Sequence, residues 1–133
     1  MTPLEVVQHY YSYFNTQNWM GMLSLVSDDI RHEPNQGDPR IGKDLFQEFL
    51  QKMDTAYQEE LRDLTFFTSS VEGRIAVEFT VHGIYKEAEE GLPPAHGQTY
   101  VLPAAAFLEV KEEKIVRVTT YYNLPLWIQC VTV

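Results

Sequence analysis

The spacing of apolar residues changes midway along this chain, and that change limits the folds open to it. Up to Tyr57 apolar residues recur every three or four positions; from Leu64 onward they alternate with polar ones. A helix places residues three and four apart on one side, whereas a strand places every second residue on one face. Helices therefore come first and a run of strands follows. That order predicts an α+β architecture, with a sheet carrying its helices on one side. For 133 residues a single domain spanning 1–133 is expected.

Local signals place the helices. Thr2-Pro3-Leu4-Glu5 reads as a start, with Thr2 as cap, Pro3 at the first helical position and Glu5 completing a capping box. Val7, Tyr10, Tyr11 and Phe14 follow at helical spacing until 15–18 breaks the pattern. Asn18 can cap a second helix carrying Trp19, Met22, Leu23 and Val26, which Ser27-Asp28-Asp29 would end. Residues 30–34 form a short strand candidate. Gly42 opens a third helix whose apolar face is Phe46, Phe49, Leu50, Met53 and Tyr57.

Two hairpins account for the second half. Strands at 64–71 and 74–86 flank Glu72-Gly73, and strands at 99–111 and 114–122 flank Glu112-Glu113. Between them, 87–98 is too rich in proline and glycine to be regular. The apolar tail from Leu124 suits one helical turn. A sheet wrapped around three helices makes a cone. Such a cone leaves a cavity between the sheet and the third helix, where sites tend to lie.

Charge and motifs exclude several functions. A net charge of −9 repels a phosphate backbone, so no nucleic-acid partner is expected. No apolar run approaches the roughly 18 residues of a membrane span. The first residues carry an acid and no basic stretch, which argues against a signal peptide. With a single cysteine, Cys130, a reducing, cytoplasmic setting is expected. The histidines lack ligand spacing, and GxGxxG, P-loop and GxSxG motifs are missing, so neither a metal nor another cofactor is expected.

The stretch RHEPNQGDPRIG, 31–42, reads as a strand at a pocket wall followed by the turn out of it. His32 and Glu33 can each take a proton from a carbon beside a carbonyl. As neighbours on a strand they point to opposite faces. Alternation with Ile30 brings His32 inward; the alternative, Glu33 inward, stays open. Tyr10 carries a phenol on an apolar helix face, and a buried phenol wants a partner. Glu78, Thr80 and His82 make one strand face polar, either a wet side, a pocket lining or a dimer interface. Tyr57, Tyr100 and Tyr122 suit a cavity for a ring-shaped organic ligand.

Four segments together resemble the nuclear transport factor 2-like superfamily, in its ketosteroid-isomerase and SnoaL-like branch: YYSYFNTQNWMGMLSLVSDDI, HEPNQGDPRIGKDLFQEFL, GRIAVEFTVHGIY and GQTYVLPAAAFLEVKEEKIVRVTTYYN. The resemblance spans nearly the whole chain. It implies a cystatin-like roll, a cone-shaped curved antiparallel sheet around three N-terminal helices. It also implies roles. Tyr10 matches the tyrosine that donates a hydrogen bond to the developing enolate in ketosteroid isomerases. Glu33, before Pro34, matches the carboxylate that takes the proton. Ala106 falls where those enzymes hold a protonated aspartate, and Asn123 where SnoaL-like cyclases hold an acid/base aspartate.

The expectation is a pocket protein for a small hydrophobic molecule, an isomerase or cyclase working by acid–base chemistry without a cofactor. Glu33 or His32 would be the base and Tyr10 the electrophile. Asn35, Met53, Tyr57, His82, Tyr100, Tyr122 and Asn123 would surround the ligand. A non-catalytic metabolite-binding module and a dimeric scaffold are the alternatives. A homodimer through the sheet is expected, because helices cover one face and Val77, Phe79 and Val81, or 104–107, would leave apolar surface on the other.

Overall fold

The computed structural model describes residues 1–34 and 37–132. The chain runs α1 (Pro3–Asn15), α2 (Trp19–Ser24), β1 (Val26–Glu33), β2 (Arg40–Ile41), α3 (Lys43–Ala56), β3 (Tyr57–Thr68), β4 (Arg74–Tyr85), β5 (Gln98–Lys111), β6 (Lys114–Tyr122) and α4 (Leu124–Val131). The strands form one curved sheet in the order β2-β1-β6-β5-β4-β3. Its pairs are antiparallel apart from β1 beside β6, which is parallel. This is the expected α+β cone. Helix α1 touches β3, β4, β5 and β6, which only a sheet bent around the helix can offer. No helix among the described residues is long and apolar enough to cross a membrane.

The helix starts follow local chemistry. The Thr2 hydroxyl accepts from the Glu5 amide at 3.1 Å, while the Glu5 carboxylate accepts from the Thr2 amide at 2.9 Å, the reciprocal capping box. The Asn18 side chain accepts from the Gly21 amide at 2.9 Å and starts α2. Asn15, ending α1, holds the margin of the sheet: its side-chain amide donates to the Leu61 carbonyl at 2.9 Å and accepts from the Leu61 amide at 2.8 Å. Strand β3 is last in the sheet, so these backbone groups would otherwise lie unpaired.

Three boundaries differ from expectation. Val26 leaves the second helix and opens β1, because the segment after Ser24 pairs with β6: the Ile115 amide donates to the Leu25 carbonyl at 2.8 Å, and Val26 lies opposite Ile115. Strand β3 starts at Tyr57, directly after α3, so Tyr57 is a strand residue and the charged run 58–63 lies within the strand. Gln58, Glu60 and Arg62 face outward while Tyr57, Glu59 and Leu61 face in, and an edge strand tolerates the charge. The tail is two turns of helix, α4, rather than one.

The core lies on the concave face. Val6, Val7, Tyr10, Tyr11 and Phe14 of α1 and Phe46 and Leu50 of α3 pack against Ile75, Val77, Phe79 and Val81 of β4 and Leu102, Ala106 and Leu108 of β5. Val77, Phe79 and Val81 are thus buried beneath the helices, correcting the expectation that they open onto the other face. On the convex face the exposed apolar groups are Phe67, Ile84, Val101, Phe107 and Tyr121.

Candidate functional site

The concave face is not filled. Between α1, α3 and the sheet lies a cavity of about 320 Å³. Tyr10, Tyr11, Phe49, Met53, Phe79 and Trp127 are among its apolar wall residues. Helix α4 closes one end, with Trp127 set edge-on to Tyr57, Tyr85 and Tyr100 at ring-centre distances of 6.1, 4.9 and 5.8 Å. The loop from β4 to β5 adds Glu89 and Leu92 to the wall. It is held by the Tyr85 hydroxyl, which donates to the Pro93 carbonyl at 2.7 Å, and by an ion pair of Lys52 with Glu89 at 3.3 Å.

Two carboxyls on this wall, Glu59 and Glu89, were not singled out from the sequence; Glu89 pairs with Lys52. Glu59 of β3 lies opposite Gly83 of β4, which lies opposite Tyr100 of β5. Gly83 has no side chain, so the Tyr100 ring lies across it and its hydroxyl donates to Glu59 Oε2 at 2.5 Å. A Cβ at Gly83 would stand 2.2 Å from Tyr100 Cζ. Burial pushes the Glu59 carboxyl above its ordinary value, while the bond from Tyr100 partly restrains the rise. Burial, the Glu59 charge and the same bond push the Tyr100 phenol up. Tyr57 is also raised, by burial and by its hydrogen bond with Glu89. The signal for Glu59 was present in the alternation of Tyr57, Glu59 and Leu61, but the charged run around it hid the strand.

His32 and Glu33 are separated by the sheet. His32 lies opposite Val118 and beside Arg40 of β2, with its side chain on the cavity wall and only 3% exposed. Phe49 and Phe46 pack on its ring at 4.3 and 5.4 Å. Desolvation, aided by the Arg40 charge, lowers it from 6.5 to about 4, so the ring is neutral at ordinary pH. Glu33 turns to the convex face. It accepts from the Thr119 hydroxyl at 3.0 Å and pairs with Arg31 at 3.2 Å and Arg117 at 3.5 Å. Desolvation opposes these contacts, but together they hold its carboxyl below the usual value. Glu33 therefore does not line the cavity wall, and the strand frame set by β6 is the reason.

The remaining candidates divide. Tyr10, Met53, Tyr57, Tyr100 and Tyr122 line the cavity. Burial pushes the Tyr10 phenol up, and among the described residues nothing bonds its hydroxyl. His82 alternates with the buried Val81 and lies outside the wall, on the convex side. Asn123 is exposed; its side chain accepts from the Leu126 amide at 3.1 Å and caps α4, a role local to the chain. Asn35 lies outside the described residues. Among those residues no group of three His, Cys, Asp or Glu side chains could hold a metal ion.

Comparison with known proteins gives a consistent family. The family model described as a SnoaL-like domain matches residues 7–118. Three solved structures, each called a "putative polyketide cyclase", are similar over almost the full chain. That from Pseudomonas putida KT2440 is 46% identical, covers 99% of this chain and 99% of its own, and has a TM-score of 0.96. That from Xanthomonas campestris is 45% identical, with 98% and 96% covered and a TM-score of 0.93. That from Silicibacter sp. TM1040 is 40% identical, with 99% and 96% covered and a TM-score of 0.96. No curated protein matches.

Two outcomes follow from this geometry. Well above pH 6.5 His32 is neutral in both folded and unfolded chains. As pH falls from 6.5 to about 4, the unfolded chain takes up a proton that the folded one refuses, and stability declines by about 3 kcal/mol in total. Urea unfolding near pH 7 and near pH 4 should show wild type losing that much more than His32→Phe. Gly83→Ala should push the Tyr100 ring off Glu59. Carbon-13 NMR should then find the Glu59 carboxyl titrating higher still, and the unpaired group should reduce stability by about 1–3 kcal/mol.

Proposed function

The chain belongs to the SnoaL-like domain family, and on that footing we propose that it is a cofactor-independent acid–base enzyme of isomerase or ring-closing cyclase type. Its substrate is a small, mostly apolar, enolisable molecule held in the cone. The observation that carries this reading is the Glu59–Tyr100 pair, a carboxyl of raised pKa bonded at 2.5 Å inside an apolar cavity. Perturbed ionisable groups concentrate at functional sites. A carboxyl whose pKa is raised toward working pH is a better base for a carbon acid than an ordinary one. A filled scaffold or a purely apolar binding pocket has no use for such a group.

The chemistry needs two roles. Ionised Glu59 removes a proton from a carbon beside a carbonyl, and the electron pair of that C–H bond moves into the enolate. Tyr10 donates its hydroxyl hydrogen to the enolate oxygen, where negative charge gathers. In an isomerase, Glu59 returns the proton to a different carbon. In a cyclase, the enolate carbon attacks a second carbonyl of the same molecule, forming the ring bond, and the resulting alkoxide collects the proton. Tyr100 orients the carboxylate throughout.

The test needs no knowledge of the natural substrate. In deuterated water the protein should speed exchange of the α-hydrogens of bicyclic ketones such as 2-tetralone, followed by NMR. Glu59→Gln should cut the catalysed rate by about 10²-fold or more, and Glu33→Gln should leave it unchanged. No acceleration by the wild type, or equal acceleration by Glu59→Gln, would refute the assignment.

We infer also that the protein is a homodimer through the convex sheet face. Phe107 and Tyr121 stack edge-on at 5.7 Å there and are 42% and 43% exposed, and Val101, further along β5, is 55% exposed. A monomer rarely leaves such a patch to water, and a two-fold pairing buries it with one self-complementary surface. Light scattering at micromolar concentration should give twice the 15.4 kDa chain mass, and Phe107→Glu should lower it. A single-chain mass for the wild type would exclude the dimer.

A further inference from the structure

The His32 margin of the cavity has features that the acid–base reading does not use. His32 is 3% exposed, and its Nδ1 is sealed off with no hydrogen-bond partner. Among the described residues no hydrogen bond reaches Nε2 either, and the His32 ring lies on the cavity wall. Arg40 faces His32 directly across β1 and β2 and also lines the wall. Among the described residues its one ion pair is a 3.4 Å contact with Glu48, whose carboxylate is largely exposed. A guanidinium carries five donors, and among the described residues this contact engages one of them. The other cation on the wall, Lys52, already faces Glu89. In a chain of net charge −9, an under-committed arginine beside an unpartnered neutral imidazole, at the rim of an aromatic cavity, has a specific chemical complement.

We propose that the cavity takes a planar, mostly apolar carboxylic acid, with Arg40 and His32 Nε2–H receiving its carboxylate. The inference rests on the cavity being a small-molecule site, and it adds the class of molecule. The carboxylate gives the guanidinium a planar, two-pronged partner and gives His32 the acceptor that the protein withholds. The ring body meets Tyr10, Phe49, Met53 and Trp127. Glu59 stands on β3, at the other margin of the sheet from β1 and β2. The acid group is therefore an anchor on strands other than the one carrying the carboxyl that would move the proton.

Naphthalene-2-carboxylate and naphthalene-2-carboxamide share shape and differ in charge, which makes them the probes. Binding is followed by calorimetry and by Trp127 fluorescence. The wild type should bind the carboxylate about tenfold or more tightly than the amide, the scale of a charge-assisted hydrogen bond. Arg40→Met should remove that preference while leaving amide affinity within about twofold, which also shows that the variant is folded. His32→Phe should weaken the carboxylate more than the amide. Equal binding of both probes by the wild type, or equal loss of both in Arg40→Met, overturns the carboxylate anchor and leaves the cavity reading standing. Binding of neither probe overturns both.

Discussion

A strongly bent sheet presents its concave face to two helices, and two helices do not fill it. Each is roughly 10–12 Å across with its side chains. Helix α1 packs against β3, β4, β5 and β6, and α3 against β1, β2 and β3. The remainder is the 320 Å³ cavity, room for roughly ten waters at their liquid volume. Unfilled apolar space destabilises a core. Its persistence here depends on the rigid aromatic groups around it, above all Trp127 against three tyrosines, which prop the end of the cone open while sealing it.

The same bend makes small local choices consequential. Tyr100 reaches Glu59 only because Gly83, between them, has no side chain. The margin strand β3 stays in place because Asn15 supplies one donor and one acceptor to Leu61. On the other margin, pairing with β6 sets which residues of β1 turn inward. That frame sends His32 among phenylalanines and Glu33 into a cluster with Arg31, Arg117 and Thr119. A slip of one residue would exchange them.

Low polarity inside the cone acts in opposite senses on its two margins. It disfavours charge on both Glu59 and His32, raising the carboxyl and lowering the imidazole. A carboxyl raised in this way is a stronger base and remains able to exchange a proton. An imidazole lowered to about 4 is a fixed neutral group, suited to hydrogen bonding and poorly suited to proton transfer. The opposite shifts on the two margins follow from one dielectric effect on two groups of opposite charge type.

The capping box at Thr2, the Asn18 cap, the start of α3 after Gly42 and the turns near Glu72-Gly73 and Glu112-Glu113 were legible in the sequence, because each depends on residues within about four positions of one another. The cap at Asn123 before Leu124-Pro125 was equally local, but the family resemblance drew attention to a different role. The helix-then-strand order, and with it the α+β cone, was legible because periodicity reports burial directly. Tertiary structure alone decided the rest. Val26 joined a strand through pairing with Ile115. The charged run after Tyr57 became a strand because an edge tolerates charge on its outer face, and this brought Glu59 inside. His32 was chosen over Glu33 by a partner strand more than eighty residues away. A side chain's direction on a strand has a period of two, so a distant pairing that fixes the frame settles the chemistry of a site that composition and spacing leave open.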